Sequence, residues 1–327
     1  MPDSAARPAA VQLPVLAEVV RSGFVEGHHR GSLVMLAPDG SVEFALGDPT
    51  RPVFPRSSNK PFQAIATLRA GLPIEGEQLA LAAASHSGES FHLDGVRAIL
   101  AGAGLDTEAL QTPPDLPLDP TEAESYLAAG GTRAPLVMNC SGKHAAWLAA
   151  SVANGWRTED YLDPAHPIQQ LAQEALEEAT GESIAAAGTD GCGAPLLAVS
   201  LVGLARGFRS LLLAPEGSAP RRVADAMRAH PEYVAGTRRP DTWLMRAIPG
   251  ALSKMGAEAV QAVALPDGRA LAFKIDDGAT RALGPVLAAV LRRLGHPAEK
   301  LAQIGAAPLY GGAAVVGEIR PVVEQAL

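Results

Sequence analysis

Residues 32–46, SLVMLAPDGSVEFAL, carry two apolar runs that are separated by Pro38-Asp39-Gly40. Proline and aspartate favour tight turns, and glycine adopts the positive φ that many turns need, so this stretch predicts a β-hairpin. The same pattern returns near the other end of the chain in AVQAVALPDGRALAFKI, residues 259–275. We therefore expect strands from both ends of the chain to pair into one sheet.

The sequence between the two hairpins is mostly helical in pattern. Its predicted helices begin near a proline or a polar residue and end at a glycine, as helices commonly do. They are NKPFQAIATLRAG (59–71), KHAAWLAASVANG (143–155), HPIQQLAQEALEEATG (166–181) and APLLAVSLVGLARG (194–207), and the amphipathic ATRALGPVLAAVLRRLG (279–295) follows the second hairpin. This order predicts an α/β protein in which a mainly helical region is inserted into a sheet.

The same order predicts the domain organisation. Residues 1–12 read as a disordered tail, and residues 13–327 read as a single domain. Its β-rich lobe would comprise residues of about 13–56 and 250–327, and its helical lobe residues of about 57–249. No charge block or low-complexity linker divides the two lobes.

Composition excludes several classes of function. The net charge of −8 and the pI of about 5.5 lack the basic footprint of a nucleic-acid-binding protein. No apolar run approaches the ~18 uncharged residues of a membrane helix, and we see no signal peptide, so we expect a cytoplasmic protein. In that compartment the two cysteines, Cys140 and Cys192, are expected to be free thiols or metal ligands rather than a disulfide.

The segment RSSNKP, residues 56–61, places Ser57 three residues before Lys60. This S-x-x-K spacing occurs in enzymes that acylate a serine. Serine is also a favoured helix N-cap and lysine is common on helix faces, so the segment alone leaves both interpretations open.

Two further segments each place a cysteine in a turn that precedes a predicted helix. Cys140 lies in NCSGKH (139–144), and Cys192 lies in TDGCGAP (189–195), before the helix predicted from Pro195. We expect the two thiols to face one another across a shared site, where they would bind zinc. Candidates for the remaining ligands are His144, Asp190 and, less expectedly, Lys143.

Two more segments supply a serine and a lysine. The apolar helix before ASHSGE (84–89) breaks at Ser85, and Lys254 lies in GALSKMGA (250–257) at the entrance to the second hairpin. Serine–lysine acyl enzymes carry a second lysine segment late in the chain, and SKMG fits that place. An N-cap serine and a solvated lysine are the alternatives. Arg56 and Arg21 are candidates for binding a substrate carboxylate, or for ordinary surface ion pairs.

Together these five segments resemble the rhizobial-type L-asparaginases, the thermolabile asparaginase II family, in order and in rough spacing. ALGDPT (45–50), HPEYVAG (230–236) and KIDDG (274–278) add to the resemblance, which extends from about residue 18 to the early 300s. It implies a fold like that of serine β-lactamases and glutaminases, and a homodimer. It also implies hydrolysis of L-asparagine to L-aspartate and ammonia.

The resemblance assigns roles to individual residues. Ser57 matches the nucleophilic serine and Lys60 its partner, while Ser85 and Lys254 match a second serine–lysine pair. The resemblance further implies that Cys140, Lys143 and Cys192 bind zinc, and His144 and Asp190 match motif positions beside these ligands. Together with Arg56, the candidate named above for the substrate carboxylate, His144 and Asp190 are expected to bind the substrate.

Alternative functions remain open at this stage. A glutaminase, another serine amidohydrolase or a penicillin-hydrolysing enzyme would share the serine–lysine chemistry. A non-catalytic, zinc-stabilised amide-binding protein would share only the fold. The presence of all four serine and lysine residues favours an enzyme, because a binding module has no need of them.

Overall fold

A computed structural model describes residues 12–325, so that the predicted tail lies outside the described residues apart from Gln12. Eight of the strands form one sheet in the order β10-β11-β1-β2-β9-β8-β7, with β3 added beside β2, and β4-β6-β5 form a smaller sheet. The strands are β1 (Val15–Arg21), β2 (Phe24–Leu36), β3 (Val42–Leu46), β4 (Pro52–Val53), β5 (Ala186–Thr189), β6 (Pro195–Ser200), β7 (Leu252–Gly256), β8 (Val260–Ala264), β9 (Ala270–Ile275), β10 (Pro308–Gly311) and β11 (Ala314–Pro321).

Both predicted hairpins are confirmed. Pro38-Asp39-Gly40 turns the chain between β2 and β3, where the Asp39 carboxylate accepts hydrogen bonds from Ser41 N at 2.9 Å and Ser41 Oγ at 2.6 Å. Gly40 has a φ of 90° and Gly268, in the turn between β8 and β9, a φ of 91°. A side chain at either glycine would be strained, which explains the repeated Pro-Asp-Gly sequence.

Strands from the two ends of the chain meet in the large sheet, as predicted. Strand β1 pairs with β11 and β2 pairs with β9, both antiparallel. Two further hairpins were not predicted. One joins β1 and β2 and holds Ser22 and Gly23 in its turn, and the other joins β10 and β11. The predicted α/β class, with helices inserted between strands of one sheet, is confirmed, and the division into lobes stays a prediction.

Twelve helices are present in the described part of the chain. They are α1 (Lys60–Arg69), α2 (Gly76–Ala82), α3 (Ser90–Gly102), α4 (Pro120–Ala128), α5 (Ser141–Ala153), α6 (Pro167–Thr180), α7 (Leu201–Leu213), α8 (Ala219–Ala229), α9 (Pro231–Val234), α10 (Pro240–Ala247), α11 (Leu283–Arg293) and α12 (Ala298–Gly305). One turn of 3-10 helix, Arg56–Asn59, directly precedes α1. None of these helices is long and apolar enough to cross a membrane.

The helix predicted from Pro195 to Gly207 is wrong in its first half. Pro195–Ser200 form β6, which pairs with β5, and α7 begins only after Ser200. The Ser200 hydroxyl accepts a hydrogen bond from Gly203 N at 2.9 Å and so caps α7. A short apolar run such as PLLAV fits a strand or a buried helix equally well, and pairing with a neighbouring strand decided it.

The large sheet is packed on both faces. On β2, Val34 and Leu36 join the core that contains Phe208 of α7. Leu33 and Met35 alternate with them and join the core that contains α11. A third core surrounds Trp147 of α5 and also contains both cysteines. The start of α1, the end of α2 and β7 come together at the boundary of these cores.

Candidate active site

Two buried lysines converge on one serine. Lys60 Nζ, on the first residue of α1, lies 3.0 Å from Ser85 Oγ, and Lys254 Nζ, in the middle of β7, lies 3.0 Å from the same oxygen. Lys60 is 1% exposed, Ser85 5% and Lys254 0%. Lys60 also donates to Ala84 O at 2.6 Å. The structure therefore brings together three of the four predicted catalytic residues.

The local fold explains why β7 approaches the turn before α1. Ser58 Oγ donates to Lys254 O at 3.0 Å, which fixes the turn on the strand. A Cβ on Gly256 would lie 2.3 Å from Pro55 O, so only glycine permits this approach. The segment of Ser85 is held by its own backbone, because Ser85 N donates to Val234 O at 2.9 Å.

Ser57, the predicted nucleophile, lies beside this cluster rather than inside it. It is partly exposed and lines a cavity of about 390 Å³ together with Arg56, Cys140, Asp190 and Cys192. The backbone N–H of Lys60 donates to Ser57 O, but within residues 12–325 no hydrogen bond joins their side chains. The Ser57 hydroxyl and the Lys60 amine are therefore close in the sequence without forming the expected side-chain pair in this structure.

Arg56 and Asp190, both predicted to contact the substrate, contact each other. Arg56 Nε donates to Asp190 Oδ1 at 2.8 Å, and Glu258 Oε1 lies 3.9 Å from Arg56 Nη1. Arg56 has a φ of 52°, which is uncommon for a residue other than glycine and is often found at functional sites. Arg21 does not reach the site, because it is paired with Glu26 on an exposed strand.

The two cysteines face one another, as predicted. Cys140 precedes α5 as its N-cap, whereas Cys192 lies in the turn between β5 and β6 and not before a helix, because Pro195 begins a strand. Both are free, and they are 3% and 1% exposed. Lys60 Nζ lies 3.0 Å from Cys140 Sγ and Lys143 Nζ lies 3.3 Å from Cys192 Sγ.

Hydrogen bonding, burial and charge shift the pKa values of the two thiols in opposite directions. The hydrogen bond from Cys140 and the charge of Lys143 hold the pKa of Cys192 well below its usual range, in spite of its burial. The same hydrogen bond and burial raise the pKa of Cys140. Burial acts to lower the pKa of Lys143, but the nearby sulfur charges outweigh it, so that this pKa is raised.

His144 lies beside Cys192. Its Nδ1 lies 2.7 Å from the hydroxyl of Tyr161, and its Nε2 is buried with no hydrogen-bond partner among the described residues. Burial lowers the pKa of His144 to about 4, so the ring is neutral at pH 7. Sequence reasoning missed Tyr161 altogether, since a tyrosine in a polar loop carries no signal.

Two of the three expected zinc ligands, the cysteines, are usual for zinc, whereas the third, Lys143, is not. The described residues contain no group of three or more His, Cys, Asp or Glu that could hold a metal ion. Two facing sulfurs are nevertheless the soft ligands that zinc prefers, and Lys143 offers a nitrogen beside them. Coordination would have to displace the proton of Lys143, because ligands bind metals in their deprotonated form.

Lys254 has a pKa suited to proton transfer. Burial, with the charges of Lys60 and Arg239, lowers this pKa to about 7 against the opposing charge of Asp241. Asp241 accepts hydrogen bonds from Ser253 Oγ at 2.6 Å and Met255 N at 2.9 Å, and so sits under the strand that carries Lys254. A base with a pKa near the working pH transfers protons efficiently.

Comparison with known proteins gives one family and several weak structural likenesses. A family model described as L-asparaginase II matches residues 17–321, whereas none of the curated proteins compared with the sequence matches it. A β-lactamase from Mycobacterium bovis is 18% identical over 86% of this chain and 96% of its own, with a TM-score of 0.43. A Bacillus glutaminase is 14% identical over 81% and 91%, with a TM-score of 0.38.

A third solved structure, Mglu in its native form, is 16% identical, with a TM-score of 0.37. The match covers 81% of this chain, which spans only 60% of Mglu. The fold described above rests on the strand order and not on these three likenesses.

Proposed function

Since the chain belongs to the L-asparaginase II family, we propose that it hydrolyses the side-chain amide of L-asparagine to L-aspartate and ammonia. Family membership makes the chain an amidohydrolase. The observation that carries the proposal is the convergence of Lys60 and Lys254 on Ser85, next to the cavity that Ser57 lines. Burying amines without a directly paired carboxylate costs free energy, and such groups are therefore candidates for a functional role.

Ser57 is the nucleophile in this proposal. It is the serine with access to the cavity, whereas the Ser85 hydroxyl is buried between two lysines. The hydrogen bonds favour one shared relay over two separate serine–lysine pairs. In that relay the neutral amine of Lys254 takes a proton from Ser85, Ser85 takes one from Lys60, and Lys60 takes one from Ser57, whose hydroxyl has to turn toward Lys60 when substrate binds. Lys254 later returns a proton along the same groups to the departing ammonia.

Zinc is the proposed metal. Cys140, Cys192 and Lys143 would hold it, and Asp190 Oδ2 lies 3.7 Å from Cys192 Sγ at the edge of the cavity. When bound, the ion would supply a positive charge that orients polar groups of the substrate. Metal analysis of the wild type and of Cys140→Ser, together with their activities, tests the proposal. Unchanged activity after loss of zinc would exclude an obligatory ion.

We further propose that the protein is a cytoplasmic homodimer. Resemblance to the family supports the dimer, and the exposed apolar side chains of Phe24, Tyr310 and Val315 on neighbouring hairpins are of the kind that often mark an interface. Light scattering of the purified protein measures its mass directly, and a monomer at micromolar concentration would exclude a stable dimer.

The first experiment is ammonia release from L-asparagine and, separately, from L-glutamine. We expect wild-type turnover of asparagine and a loss of several orders of magnitude in Ser57→Ala, as for other catalytic nucleophiles. Ser90→Ala, at an exposed serine that begins α3, is the matched control and should keep full activity. Turnover of glutamine alone would favour a glutaminase. A folded wild type that releases no ammonia from either amide would favour a binding protein.

Mass spectrometry of quenched reactions distinguishes the two serines. If Ser57 is the nucleophile, an acyl adduct forms on Ser57 in the wild type and in Ser85→Ala, where its hydrolysis is slowed. An adduct on Ser85 would reverse the two roles. The reaction would remain the same.

A further inference from the structure

Arg239 lies beside the catalytic cluster without an acidic partner. Its side chain approaches β7, where Nη2 is 3.4 Å from Met255 Sδ, and the carbonyl oxygen of Met255 accepts a hydrogen bond from Lys254 Nζ at 3.0 Å. Within residues 12–325 no carboxylate lies within ion-pair distance of Arg239. The charge is nevertheless close enough to Lys254 to affect its titration.

The acidic side chains around Arg239 are all bound to other groups. Asp119 accepts from Arg238 at 2.9 Å and from the amides that begin α4. Asp241 is occupied under β7, as described above. Glu89 accepts from the backbone and hydroxyl of Thr237, both at 2.8 Å. A partly buried guanidinium has therefore been left unpaired next to the reacting groups, although its desolvation is costly.

We propose that Arg239 binds the α-carboxylate of the amino-acid substrate. The assignment rests on the proposed function, since it concerns the substrate of the same site. Arginine binds carboxylates through two parallel hydrogen bonds and fixes their orientation. Arg56, the candidate from the sequence, already has Asp190 as a partner. A carboxylate bound by Arg239 would lie near Met255 of β7, the residue next to Lys254.

The test compares two substrates in four variants. The substrates are L-asparagine and 3-aminopropanamide, which keeps the amine and the amide but lacks the carboxylate. The assays are run well above the pKa of Lys254, so that loss of the Arg239 charge does not change the protonation of this base. In Arg239→Gln we then expect KM for L-asparagine to rise about 10- to 100-fold, the usual effect of losing a charged hydrogen bond, and KM for 3-aminopropanamide to stay unchanged. Arg239→Lys should recover part of the loss.

Arg238→Gln is the matched control. Arg238 is the neighbouring arginine, but its side chain is 44% exposed and is paired with Asp119 and Glu122. We expect this variant to keep the wild-type KM for both substrates. An unchanged KM in Arg239→Gln, or an equal loss on both substrates, would overturn the assignment. A selective loss in Arg56→Gln instead would place the carboxylate at Arg56.

Calorimetry with L-aspartate and β-alanine separates this inference from the proposed reaction. L-Aspartate carries the α-carboxylate that β-alanine lacks. If the wild type binds L-aspartate more tightly and Arg239→Gln loses that preference while it melts at the wild-type temperature, the assignment holds even where no amide is hydrolysed. Equal binding of the two ligands by the wild type and by Arg239→Gln would reject it.

Discussion

The hydroxyl of Ser85 lies at the centre of the site, because the amines of two lysines from different parts of the chain approach it. Lys60 comes from the start of α1 and Lys254 from β7, and each nitrogen lies 3.0 Å from the oxygen. Two cations at this distance from one oxygen repel each other, so that one of them loses its proton more easily. Lys254, with its pKa of about 7, is that residue.

The first prediction concerns the pH dependence of turnover. Lys254 accepts a proton only when neutral, so kcat should fall as the pH drops through about 7. The titratable groups that face Lys254 are Asp241, Lys60, Arg239 and Cys140, and of these Asp241 and, to a smaller extent, Cys140 raise its pKa. Asp241→Asn removes that negative charge, so the acid limb of the profile should move to lower pH.

Kinetics between pH 5 and 9 measure this limb. Lys300→Met, at an exposed lysine of α12, is the control for the loss of a lysine and should leave the profile unchanged. An acid limb at the same pH in a folded Asp241→Asn variant would contradict the assignment of the limb to Lys254.

The second prediction concerns the ion pair of Arg56 and Asp190. Asp190→Ala removes the acceptor that holds Arg56 at 2.8 Å, so we expect kcat/KM to fall about 10- to 100-fold. The melting temperature should fall as well, because the Arg56 side chain is only 23% exposed and loses its partner, so activity is compared at a temperature at which this variant and its control are folded. Asp94→Ala breaks an exposed pair with Arg97 and serves as the control. Equal activity of the two variants would leave the Arg56–Asp190 pair without a role in turnover.

At the scale of single residues, the sequence predicted the members of the site more reliably than the contacts among their atoms. Ser85, Lys254 and the facing cysteines lie where expected, because each stands in a short segment of small residues. Arg239 and Asp241 carried no such signal. They stand in RRPDTW, which reads as an ordinary helix start, and only the packing of α10 against β7 brings them to the site.

Among the secondary-structure elements, β7 has the strongest effect on the site, since it carries Lys254 and supports the turn before α1. Gly256 allows that contact: the Cβ of any other residue would lie 2.3 Å from Pro55 O and 3.1 Å from Ser58 N. Both atoms belong to the backbone, so they cannot move aside as a flexible side chain does. The turn that carries Ser57 would have to shift as a unit.

The third prediction follows from this contact. Gly256→Ala should lower the free energy of unfolding by about 1 to 3 kcal/mol, as overpacking usually does, and should reduce kcat through the displaced turn. Gly102→Ala is the control, because a Cβ there, at the end of α3, meets nothing within 4 Å. That variant should be as stable as the wild type or slightly more so. Urea denaturation measures both, and equal stability would show that the turn yields easily.

Local sequence patterns predicted those elements whose ends carry their own signals. The two hairpins with Pro-Asp-Gly turns and the helices α1, α5, α6 and α11 are of this kind. The run PLLAV was assigned to a helix because its neighbours in the small sheet, β4 and β5, are too short to recognise in the sequence. Pairing between strands that lie far apart in the sequence cannot be predicted from a local pattern.

In the molecule as a whole, the site exists only because both ends of the chain build one sheet. Strand β7 follows the helical region and reaches Ser85 across the middle of the fold. The two Pro-Asp-Gly hairpins predicted this sheet, and the family resemblance agreed with it, but no spacing in the sequence fixed the contact between Ser85 and Lys254. The thiols were likewise predicted to face one another, although the atoms around them could not be predicted, since Cys140 precedes α5 and Cys192 lies in the turn between β5 and β6.

The last prediction concerns the metal that these thiols would share. An ion held by Cys140 and Cys192 links two distant parts of the chain, and it binds the folded protein more tightly than the unfolded chain. Zinc at 100 times its Kd should then stabilise the wild type by about 2.7 kcal/mol, and a chelator should reverse the shift in Tm. In the double variant Cys140→Ser/Cys192→Ser zinc should leave Tm unchanged. If zinc raised Tm equally in both proteins, the ion would bind elsewhere, and the facing sulfurs would be a thiol–thiolate pair that serves Lys60 and Lys143 as hydrogen-bond acceptors.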